Sequence, residues 1–418
     1  MRRVVITGMS GITALGSDWA SIREALLDGR NGVRSMADEW ARYTGIHTRL
    51  AAPAIFTMPP HWSRKQSRTM GRVAAMAVAA TEQALIDAGL LGTSLLSSGR
   101  VGAAYGSSFG SPDAVLGFYE LKMNGASKNL NATNYIQMMS HSALVNIGIF
   151  FGLRGRMIPS SSACTSGSQA IGFAFETIKF GRADIMIAGG GEELDITDSA
   201  VFDTLFATST RNDEPALTPR PYDRDRDGLV MGEGAATLIL EDMEHALARG
   251  ATIYAEVVGY GTNSDGNHVT HPQSETMAQA LRLALADAAV PSEAIDIVNG
   301  HGTATEWGDI AETHATATIL GHKVPIHSIK SYLGHSLGAC GSIEAWLGIN
   351  MMREGWFCHT ANCINIDDRC AELDYIQNSA RNLQAEYLMS NNFAFGGINT
   401  SLIFRNISQS SSFPNKAL

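Results

Sequence analysis

The stretch Cys164-Thr-Ser-Gly-Ser-Gln-Ala-Ile-Gly172 begins a predicted helix, and the segment 184–188, apolar after Asp184, follows that helix as a predicted strand. A second stretch, Gly334-His-Ser-Leu-Gly-Ala-Cys-Gly-Ser-Ile-Glu-Ala345, begins a comparable helix later in the chain. Apolar strands alternate with amphipathic helices around both stretches, which is typical of a layered α/β fold. The sequence therefore predicts an α/β protein with two similar halves.

The predicted elements continue this alternation along most of the chain. In the first half they are strands at 4–7, 100–105 and 235–240, a helix at 17–27, the helix that ends near 181, and a long helix from Ser63 to Gly89. In the second half they are strands at 253–260, 295–299, 325–328 and 401–404 and helices at 275–288, 310–320 and 337–352. We assign 1–250 to the N-terminal half, 251–407 to the C-terminal half and 408–418 to a flexible tail.

The composition excludes several classes of protein. The 418 residues carry 31 Lys and Arg against 41 Asp and Glu, a net charge of −10, so we expect no nucleic-acid partner and no general attraction to anionic membranes. No stretch approaches the roughly 18 apolar residues of a membrane span. The five cysteines are odd in number and do not resemble a secreted disulfide framework. We therefore expect a cytoplasmic protein.

One local match suggests a different enzyme class. The run Gly334-His-Ser-Leu-Gly338 fits the G-x-S-x-G pattern of serine hydrolases, which would make Ser336 a nucleophile. That fold requires an acid and then a histidine after the serine, and only His359 follows Ser336. Little room remains between them for the element that carries the acid. A serine hydrolase is therefore a remote alternative.

Metal and nucleotide patterns are weak. The cluster of Cys358, His359, Cys363 and Cys370 does not have the paired cysteine motifs of a zinc site, so we expect ordinary buried cysteines and no metal. The glycines that follow the first strand do not have G-x-G-x-x-G spacing. The sequence thus predicts chemistry carried by side chains.

Three segments contain reactive side chains at the ends of predicted elements. Cys164 lies among small polar residues at a helix start, where the helix dipole and free N–H groups stabilise a thiolate. His301 follows the strand at 295–299, at the kind of strand end where α/β folds have their sites. His335 comes five residues after Lys330. A cysteine and two histidines so placed indicate one convergent site.

At these residues the sequence resembles the β-ketoacyl-ACP synthases, the elongating condensing enzymes of type II fatty-acid and polyketide assembly in the thiolase superfamily. The resemblance extends over nearly the whole chain. It includes the runs Ala163-Cys-Thr-Ser-Gly167, His301-Gly-Thr-Ala-Thr305 and Asn392-Phe-Ala-Phe-Gly-Gly-Ile-Asn399. It implies a thiolase-like fold with two duplicated βαβ-rich halves in five α/β/α/β/α layers.

The resemblance also implies an activity and its residues. The activity is decarboxylative Claisen condensation of malonyl-ACP with an acyl chain held as a thioester on Cys164. The backbone N–H groups of Cys164 and Phe395 would form the oxyanion hole, with Phe395 also acting as a gate. The implied catalytic residues are Cys164, His301, His335, Lys330 and Phe395. The acids that would support them are Glu344, Asp309 and Glu312.

The chemistry itself requires these residue types. Acyl transfer needs a thiolate nucleophile and donors for an oxyanion. Loss of CO₂ from a malonyl unit leaves an enolate, whose oxygen needs N–H donors. Two histidines held neutral supply such donors without a metal. No bound cofactor is expected, because the substrates arrive on the phosphopantetheine of an acyl carrier protein.

The resemblance further implies residues that contact the substrate. The expected binding residues are Phe109, Leu229, Thr270, Thr303, Thr305 and Phe393. Phe109 stands where the family commonly has a smaller aliphatic residue. Either Phe109 shortens the acyl pocket or suits a flat unsaturated chain, as in aryl-polyene or other polyketide assembly, or its neighbours compensate for its size.

A basic segment predicts how the carrier binds. On one continuous helix, Arg64, Arg68 and Arg72 would share a face at i, i+4 and i+8, next to Lys65. We expect this face to bind the acidic carrier protein. The family is normally homodimeric, and a heterodimer with a paralogous ketosynthase or chain-length factor stays open. A catalytically idle subunit of such a heterodimer is the main alternative function.

Overall fold

The computed structural model describes residues 1–407. The predicted flexible tail at 408–418 lies outside the described residues. Within the described residues, no helix is both long enough and apolar enough to cross a membrane.

The strands have the following bounds: β1 Val4–Ile12, β2 Arg34–Ser35, β3 Leu50–Ala52, β4 Val101–Gly106, β5 Met157–Ser160, β6 Ile185–Glu192, β7 Met231–Gly232, β8 Gly234–Asp242, β9 Ala255–Ser264, β10 Ile297–Asn299, β11 Pro325–His327, β12 Trp356–Phe357, β13 Asp374–Tyr375, β14 Arg381–Asn382, β15 Tyr387–Phe393 and β16 Ile398–Arg405.

The α-helices have the following bounds: α1 Trp19–Leu27, α2 Arg64–Ser67, α3 Arg72–Asp87, α4 Leu116–Asn124, α5 Ala132–Met138, α6 Ser142–Phe151, α7 Ser166–Lys179, α8 Ile196–Asp203, α9 Met243–Ala248, α10 Ser274–Ala288, α11 Glu306–Leu320, α12 Lys330–Leu333 and α13 Cys340–Glu354. Short 3₁₀ turns lie at Ser94–Ser97, Pro112–Val115, Pro215–Leu217, Ser292–Ala294 and Leu337–Ala339.

Two sets of strands form one continuous sheet in the order β13-β11-β10-β15-β16-β9-β1-β8-β6-β4-β5. In the first set, β5, β4 and β6 are parallel, and β8 and β1 follow as antiparallel strands. In the second set, β13, β11, β10 and β15 are parallel, and β16 and β9 follow as antiparallel strands. The two sets meet where β1 pairs with β9. The mirrored order shows the duplication that the two similar sequence stretches predicted.

The helices form layers around these strands. Helix α7 packs against β4 and β6 of the first set and against β9 and β16 of the second, and α13 packs against β8 and β15. These two helices therefore lie between the two sets. Helices α3 and α6 cover the outer side of the first set, and α10 and α11 cover the outer side of the second. The predicted five-layer α/β/α/β/α fold is confirmed.

The sandwiched position explains the composition of the central elements. All eight residues of β6 are buried, as expected for a strand covered on both faces. Thirteen of the fifteen residues of α13 are buried, so this helix has almost no solvated face. Because β6 and α13 have almost no solvated face, their sequences lack the regular polar positions of surface elements.

The predicted helix from Ser63 to Gly89 is wrong, because the chain forms two helices there. Ser63 caps only α2, in a capping box with Gln66. Gly71 is extended and precedes α3. A Cβ on Gly71 would lie 1.9 Å from Ser111 Oγ, so the chain at this break packs directly against a neighbouring segment.

Other elements also differ from the sequence prediction. Helix α1 begins after Asp18, whose side chain accepts a hydrogen bond from the Ser21 N–H, and not after Ser17. Helices α4, α5 and α6 and strand β15 were absent from the prediction. Strand β15 lies between β10 and β16, so it is central to the second set.

Candidate active site

Cys164 lies in a tight turn that ends where α7 begins. The preceding residue, Ala163, has φ of +50°, a backbone conformation that residues other than glycine rarely adopt. The Ser166 hydroxyl donates to the Ala163 carbonyl at 2.7 Å and accepts the Ser162 N–H at 2.9 Å. The small polar residues around Cys164 therefore hold the turn that directs the buried thiol into the site.

His335 lies directly against this thiol. Its Nε2 is 2.9 Å from Cys164 Sγ. Its Nδ1 accepts the backbone N–H of Leu337 at 3.3 Å, so the neutral ring carries its proton on Nε2. Burial, and then the charge of Lys330, hold the pKa of His335 well below its usual value. His335 is thus a neutral donor that faces the sulfur.

His301 has the same tautomer for a different reason. Its Nδ1 lies 3.2 Å from Lys330 Nζ and 3.4 Å from the Asn392 side-chain amide nitrogen, and both partners are donors. Its own proton therefore belongs on Nε2. Burial, with Lys330 and His335 nearby, holds the pKa of His301 well below its usual value. The two imidazole rings are 5.2 Å apart and nearly perpendicular.

A buried ion pair supports His301 from behind. Lys330 and Glu344 form a salt bridge in which both side chains are buried. The second oxygen of Glu344 accepts the Asn392 amide at 2.7 Å. Burial alone would lower the pKa of Lys330, but Cys340 and Glu344 raise it above its ordinary value, so Lys330 stays charged. The predicted association of Lys330 with Glu344 is present.

The Cys164 thiol is shielded from water. Burial raises its pKa to about 11, while hydrogen bonds from the backbone N–H groups of Phe395 and Cys164 and the charge of Lys330 act in the opposite direction. These two N–H groups are the predicted oxyanion donors. Phe395 is 39% exposed and packs edge-on against Phe202, with ring centres 5.9 Å apart. The Phe395 ring lines the same cavity as the thiol.

Asp309 and Glu312 organise the loop that carries His301. Glu312 accepts the backbone N–H groups of His301 and Gly302. Asp309 accepts those of Thr303 and Ala304, both at 3.1 Å. Burial raises the pKa of Asp309 to about 6 and that of Glu312 to about 7. These acids lie beneath the loop and act on the histidine through its backbone.

A cavity of about 580 Å³ connects the thiol to solvent. Five of the predicted substrate contacts line it together with the cysteine and both histidines: Leu229, Thr270, Thr303, Thr305 and Phe393. Phe109 does not line this cavity and is 43% exposed, and its backbone N–H donates to Glu192 at 3.4 Å. The hypothesis that Phe109 shapes the acyl pocket stays a prediction.

The predicted basic face is not a single helix face. Arg64 and Lys65 belong to α2, Arg68 ends it, and all three are exposed. Arg72 begins α3 and pairs with Glu233 at 2.6 Å, so its charge is already partnered. The break at 68–72 separates Arg72 from the other three residues.

Sequence reasoning missed Glu192 and Asn392. Glu192 is fully buried and accepts the N–H groups of Ser108 at 2.9 Å and Gly338 at 2.8 Å. It thereby ties the chain after β4 to the turn that follows His335. An acid directly after the glycines of a buried strand was the available signal. Asn392 lies on β15, a strand that the prediction lacked.

Three glycines allow the two halves to meet beside the site. A Cβ on Gly190 would lie 2.2 Å from the Gly338 carbonyl oxygen and 3.0 Å from Gly167 Cα. A Cβ on Gly167 would lie 2.8 Å from the same oxygen. The cysteine turn and the His335 turn therefore touch through backbone alone.

The reactive atoms converge closely. Over residues 1–407, the one group of His, Cys, Asp and Glu side chains whose ligand atoms lie within 4.8 Å of one another is Cys164, His301 and His335. Ser336 is buried beside them, but the histidine nitrogen faces the cysteine sulfur. The arrangement is a buried thiol beside two neutral N–H donors, which suits acyl transfer and enolate stabilisation.

The sequence matches known families over most of its length. Residues 1–246 match the N-terminal domain of β-ketoacyl synthases, and residues 254–364 match the C-terminal domain. The chain is 38% identical to 3-oxoacyl-[acyl-carrier-protein] synthase 2 of Vibrio cholerae, covering 97% of this chain and 99% of that protein. It is 34% identical to 3-oxoacyl-[acyl-carrier-protein] synthase 1 of Escherichia coli K12, covering 97% and 100%.

Solved structures agree with this. A β-ketoacyl synthase from Burkholderia phymatum superposes with a TM-score of 0.96 at 57% identity, covering 97% of this chain and 100% of that one. The ishigamide ketosynthase/chain length factor superposes with a TM-score of 0.88 at 30% identity, covering 97% of this chain and 99% of that one. The structure of the AntDE ketosynthase in complex with its type II polyketide acyl-carrier protein, AntF, superposes with a TM-score of 0.85 at 29% identity. It covers 97% of this chain and 100% of the matched one.

The fold and the thiol-centred site define an acyltransferase of the condensing type. The chain belongs to the β-ketoacyl synthase family.

Proposed function

We propose that this chain elongates acyl chains carried on an acyl carrier protein, with Cys164 as the nucleophile. The observation that carries the proposal is the convergence of Cys164, His301 and His335 within 4.8 Å, with the Nε2–H of each histidine available as a donor. A catalytically idle subunit has no need of this arrangement. A hydrolase would need an activated water, whereas both histidines hold their protons toward the site.

In the first step, the Cys164 sulfur attacks the thioester carbonyl of an acyl group on the carrier. The Nε2–H of His335 and the backbone N–H of Phe395 stabilise the thiolate that forms. The carbonyl oxygen becomes negative in the tetrahedral intermediate and takes the N–H groups of Cys164 and Phe395. The carrier leaves as a thiol with the proton that Cys164 gave up.

In the second step, a malonyl thioester enters and loses CO₂. The electron pair of the broken C–C bond forms an enolate, whose oxygen accepts hydrogen bonds from His301 and His335 Nε2–H. The enolate carbon attacks the acyl carbonyl on Cys164 and forms the new C–C bond. The cysteine leaves as a thiolate and takes up one proton from solvent, which balances the negative charge that the malonyl carboxylate brought. The product stays on the carrier as a β-ketoacyl thioester.

The decisive experiment uses intact-protein mass spectrometry and product analysis. Wild-type protein with acyl-carrier and malonyl-carrier should form an acyl adduct on Cys164 and release β-ketoacyl-carrier. Cys164→Ala should form no adduct but keep some malonyl decarboxylation, since both histidines remain. Cys370→Ala, which removes another buried cysteine, should behave as wild type. Full condensation by Cys164→Ala would reject the proposal.

We further propose that the exposed residues Arg64, Lys65 and Arg68 bind the acidic carrier body. A structurally similar ketosynthase is known in complex with its acyl-carrier protein, which supports a carrier partner. The double substitution Lys65→Glu and Arg68→Glu should raise the KM for the carrier and weaken its salt dependence. Arg72 is a weaker candidate, since Glu233 already neutralises it.

For the assembly, we propose a homodimer that uses the β5 edge of the sheet. Strand β5 has one partner only, β4, within the described residues, so its other edge is free to pair. Exposed apolar side chains lie on this strand and on α4, α5 and α6: Leu116, Tyr119, Met123, Tyr135, Ile149 and Met157. Light scattering on the purified chain should give twice the monomer mass. A monomer that dimerises only with a paralogous subunit would favour the heterodimer instead.

We propose that the reaction uses no metal or other bound cofactor. The Lys330 ammonium lies 3.2 Å from His301 Nδ1 and would repel a cation placed among the three ligand atoms. The reaction requires Cys164 as a free thiol at the start of each cycle, so a reducing cytoplasm is the compartment that suits it. Full condensation after dialysis against a chelator is the expected result.

A further inference from the structure

Cys340 is a buried thiol next to Cys164 that the proposed reaction does not use. Its Sγ donates to the backbone carbonyl oxygen of Cys164 at 3.2 Å. Both cysteines belong to one apolar cluster, whose other buried members are Leu229, Met231, Leu337 and Ala394. Cys358 and Cys363 belong to other clusters. Cys340 is therefore a second sulfur placed beside the thiol of the site.

The backbone brings these two cysteines together. Cys164 lies just before α7, and Cys340 is the first residue of α13. A Cβ on Gly341, the residue after Cys340, would lie 2.9 Å from the backbone nitrogen of Ser168 in the first turn of α7. The starts of the two helices thus touch backbone to backbone. A disulfide needs such an approach, since its two Cα atoms lie within about 7 Å of each other.

Small solutes can reach one of the two sulfurs. Cys164 lines the cavity of about 580 Å³, whereas Cys340 is not among the residues that line it. The Nε2–H of His335 lies 2.9 Å from Cys164 Sγ and stabilises the thiolate, which is the reactive form of a cysteine. An oxidant that enters the cavity therefore meets Cys164 first.

Three nearby groups would stabilise negative charge on the Cys340 sulfur. Burial raises the pKa of Cys340 well above its usual value, but the charge of Lys330 and the backbone N–H of Gly341 act in the opposite direction. The side-chain amide nitrogen of Asn392 lies 3.6 Å from Cys340 Sγ and is a donor. Charge that develops on this sulfur during an attack on Cys164 is thus partly compensated.

We propose that Cys340 is a resolving thiol, which joins Cys164 in a reversible disulfide when a peroxide oxidises the site. The disulfide would protect Cys164 from further oxidation to the sulfinic acid, which thiol reductants do not reverse. The inference goes beyond the proposed function and does not depend on condensation, because it requires only that Cys164 react with peroxide.

The oxidation takes two steps. In the first, the Cys164 sulfur attacks one oxygen of hydrogen peroxide, the O–O bond breaks, and the departing hydroxide takes the thiol proton to form water. Cys164 is then a sulfenic acid. In the second, the Cys340 sulfur attacks the Cys164 sulfur, the S–O bond breaks, and hydroxide leaves with the Cys340 proton as a second water. The two sulfurs have lost two electrons, which the peroxide accepted, and a dithiol reductant returns them by exchange.

The test treats wild-type protein with a small molar excess of hydrogen peroxide and then with dithiothreitol. The oxidised protein should be about 2 Da lighter, the mass of two hydrogens, and its unreduced digest should contain Cys164 joined to Cys340. Dithiothreitol should restore the original mass and the labelling of Cys164 by iodoacetamide. The linked peptide is measured in the wild type, so this readout does not depend on the folding of any variant.

Two variants remove the resolving thiol. In Cys340→Ala and Cys340→Ser, peroxide should carry Cys164 on to the sulfinic acid, about 32 Da heavier than the thiol. The fraction of Cys164 that iodoacetamide labels after dithiothreitol should then be about tenfold lower than in the wild type. Cys358→Ala is the matched control, since it removes a fully buried thiol whose Sγ lies beside His327 at 3.3 Å. It should behave as wild type.

The outcomes separate this inference from the proposed function. Absence of the Cys164–Cys340 peptide from oxidised wild type would overturn the resolving role of Cys340. Equal recovery of Cys164 labelling in the wild type and in both Cys340 variants would overturn it as well, because the thiol would then protect nothing. Failure of the untreated wild type to condense, with the linked peptide present after oxidation, would reject the proposed function alone.

Discussion

His301 and His335 point the same nitrogen at the reacting atoms, yet different parts of the molecule fix their protons. The Nδ1 of His335 accepts the N–H of Leu337, two residues away, so a local turn fixes the tautomer of His335. His301 depends on Lys330 and Asn392, which are 29 and 91 residues away. The comparison teaches that one donor is set by local backbone and the other by a buried ion pair that the whole fold must assemble.

The largest expected effects come from removing either ring. His335→Ala and His301→Ala should each reduce condensation by about 10²–10³, the usual loss for one donor to a developing oxyanion. Only His335 contacts the sulfur, so only His335→Ala should also slow acylation of Cys164. The rate of Cys164 acylation and the rate of product formation are measured separately. His322→Ala, at an exposed histidine, is the control. Equal slowing of acylation by both variants would contradict the distinction.

A smaller effect is expected at the ion pair behind His301. Lys330→Met should reduce condensation about tenfold to hundredfold, less than loss of the ring, because His301 then also populates the wrong tautomer. It should also lower the free energy of unfolding by about 3–5 kcal/mol, since Glu344 loses its buried partner. The double variant Lys330→Met, Glu344→Leu should recover stability without recovering activity. Recovery of both would mean that the pair has only a structural role.

The pH dependence of Cys164 alkylation tests how His335 and Lys330 together affect the thiol. Because burial raises the pKa of Cys164 to about 11, the thiolate fraction should grow about tenfold per pH unit below that value. The rate of alkylation by iodoacetamide should therefore rise from pH 7 to pH 10 without a plateau. Alkylation of Lys330→Met should be slower at every pH, because the variant loses the positive charge that lowers the pKa of Cys164. A plateau below pH 9 would show that the histidines stabilise the thiolate more than this geometry implies.

Phe109 should have the smallest effect. Its ring is outside the cavity of the single chain, so Phe109→Ala should leave the preference for acyl length within about twofold, as for most exposed substitutions. Product chain lengths from wild type and variant, measured by mass spectrometry, provide the test. A clear shift to longer chains would instead support the sequence-based hypothesis that Phe109 limits the acyl pocket.

The same contrast between local and remote contacts explains what the sequence could predict. Cys164, His301, His335 and Lys330 stand in short runs whose chemistry is visible in the sequence. The duplicated α/β fold was likewise visible in two similar helix starts. What could not be read was the partner of each side chain, such as Asn392 on a strand far along the chain.

The wrong predictions have the same origin. Periodicity continues through the segment that contains Gly71, and only the close approach of Ser111 shows why the helix breaks there. The basic face was expected on one continuous helix, and the same break separates Arg72 from Arg68. In each case, a contact more than twenty residues away decided the local structure.

The contact of Gly167, Gly190 and Gly338 has a consequence for how this protein can vary. Since a single methyl group on Gly190 would overlap the opposing backbone, any side chain there would push the cysteine turn away from the histidine turn. In a saturation library selected for condensation, we expect these three positions to return glycine almost alone. The chemistry of the site thus restricts variation at a purely backbone contact between the two halves, where no side chain takes part in the reaction.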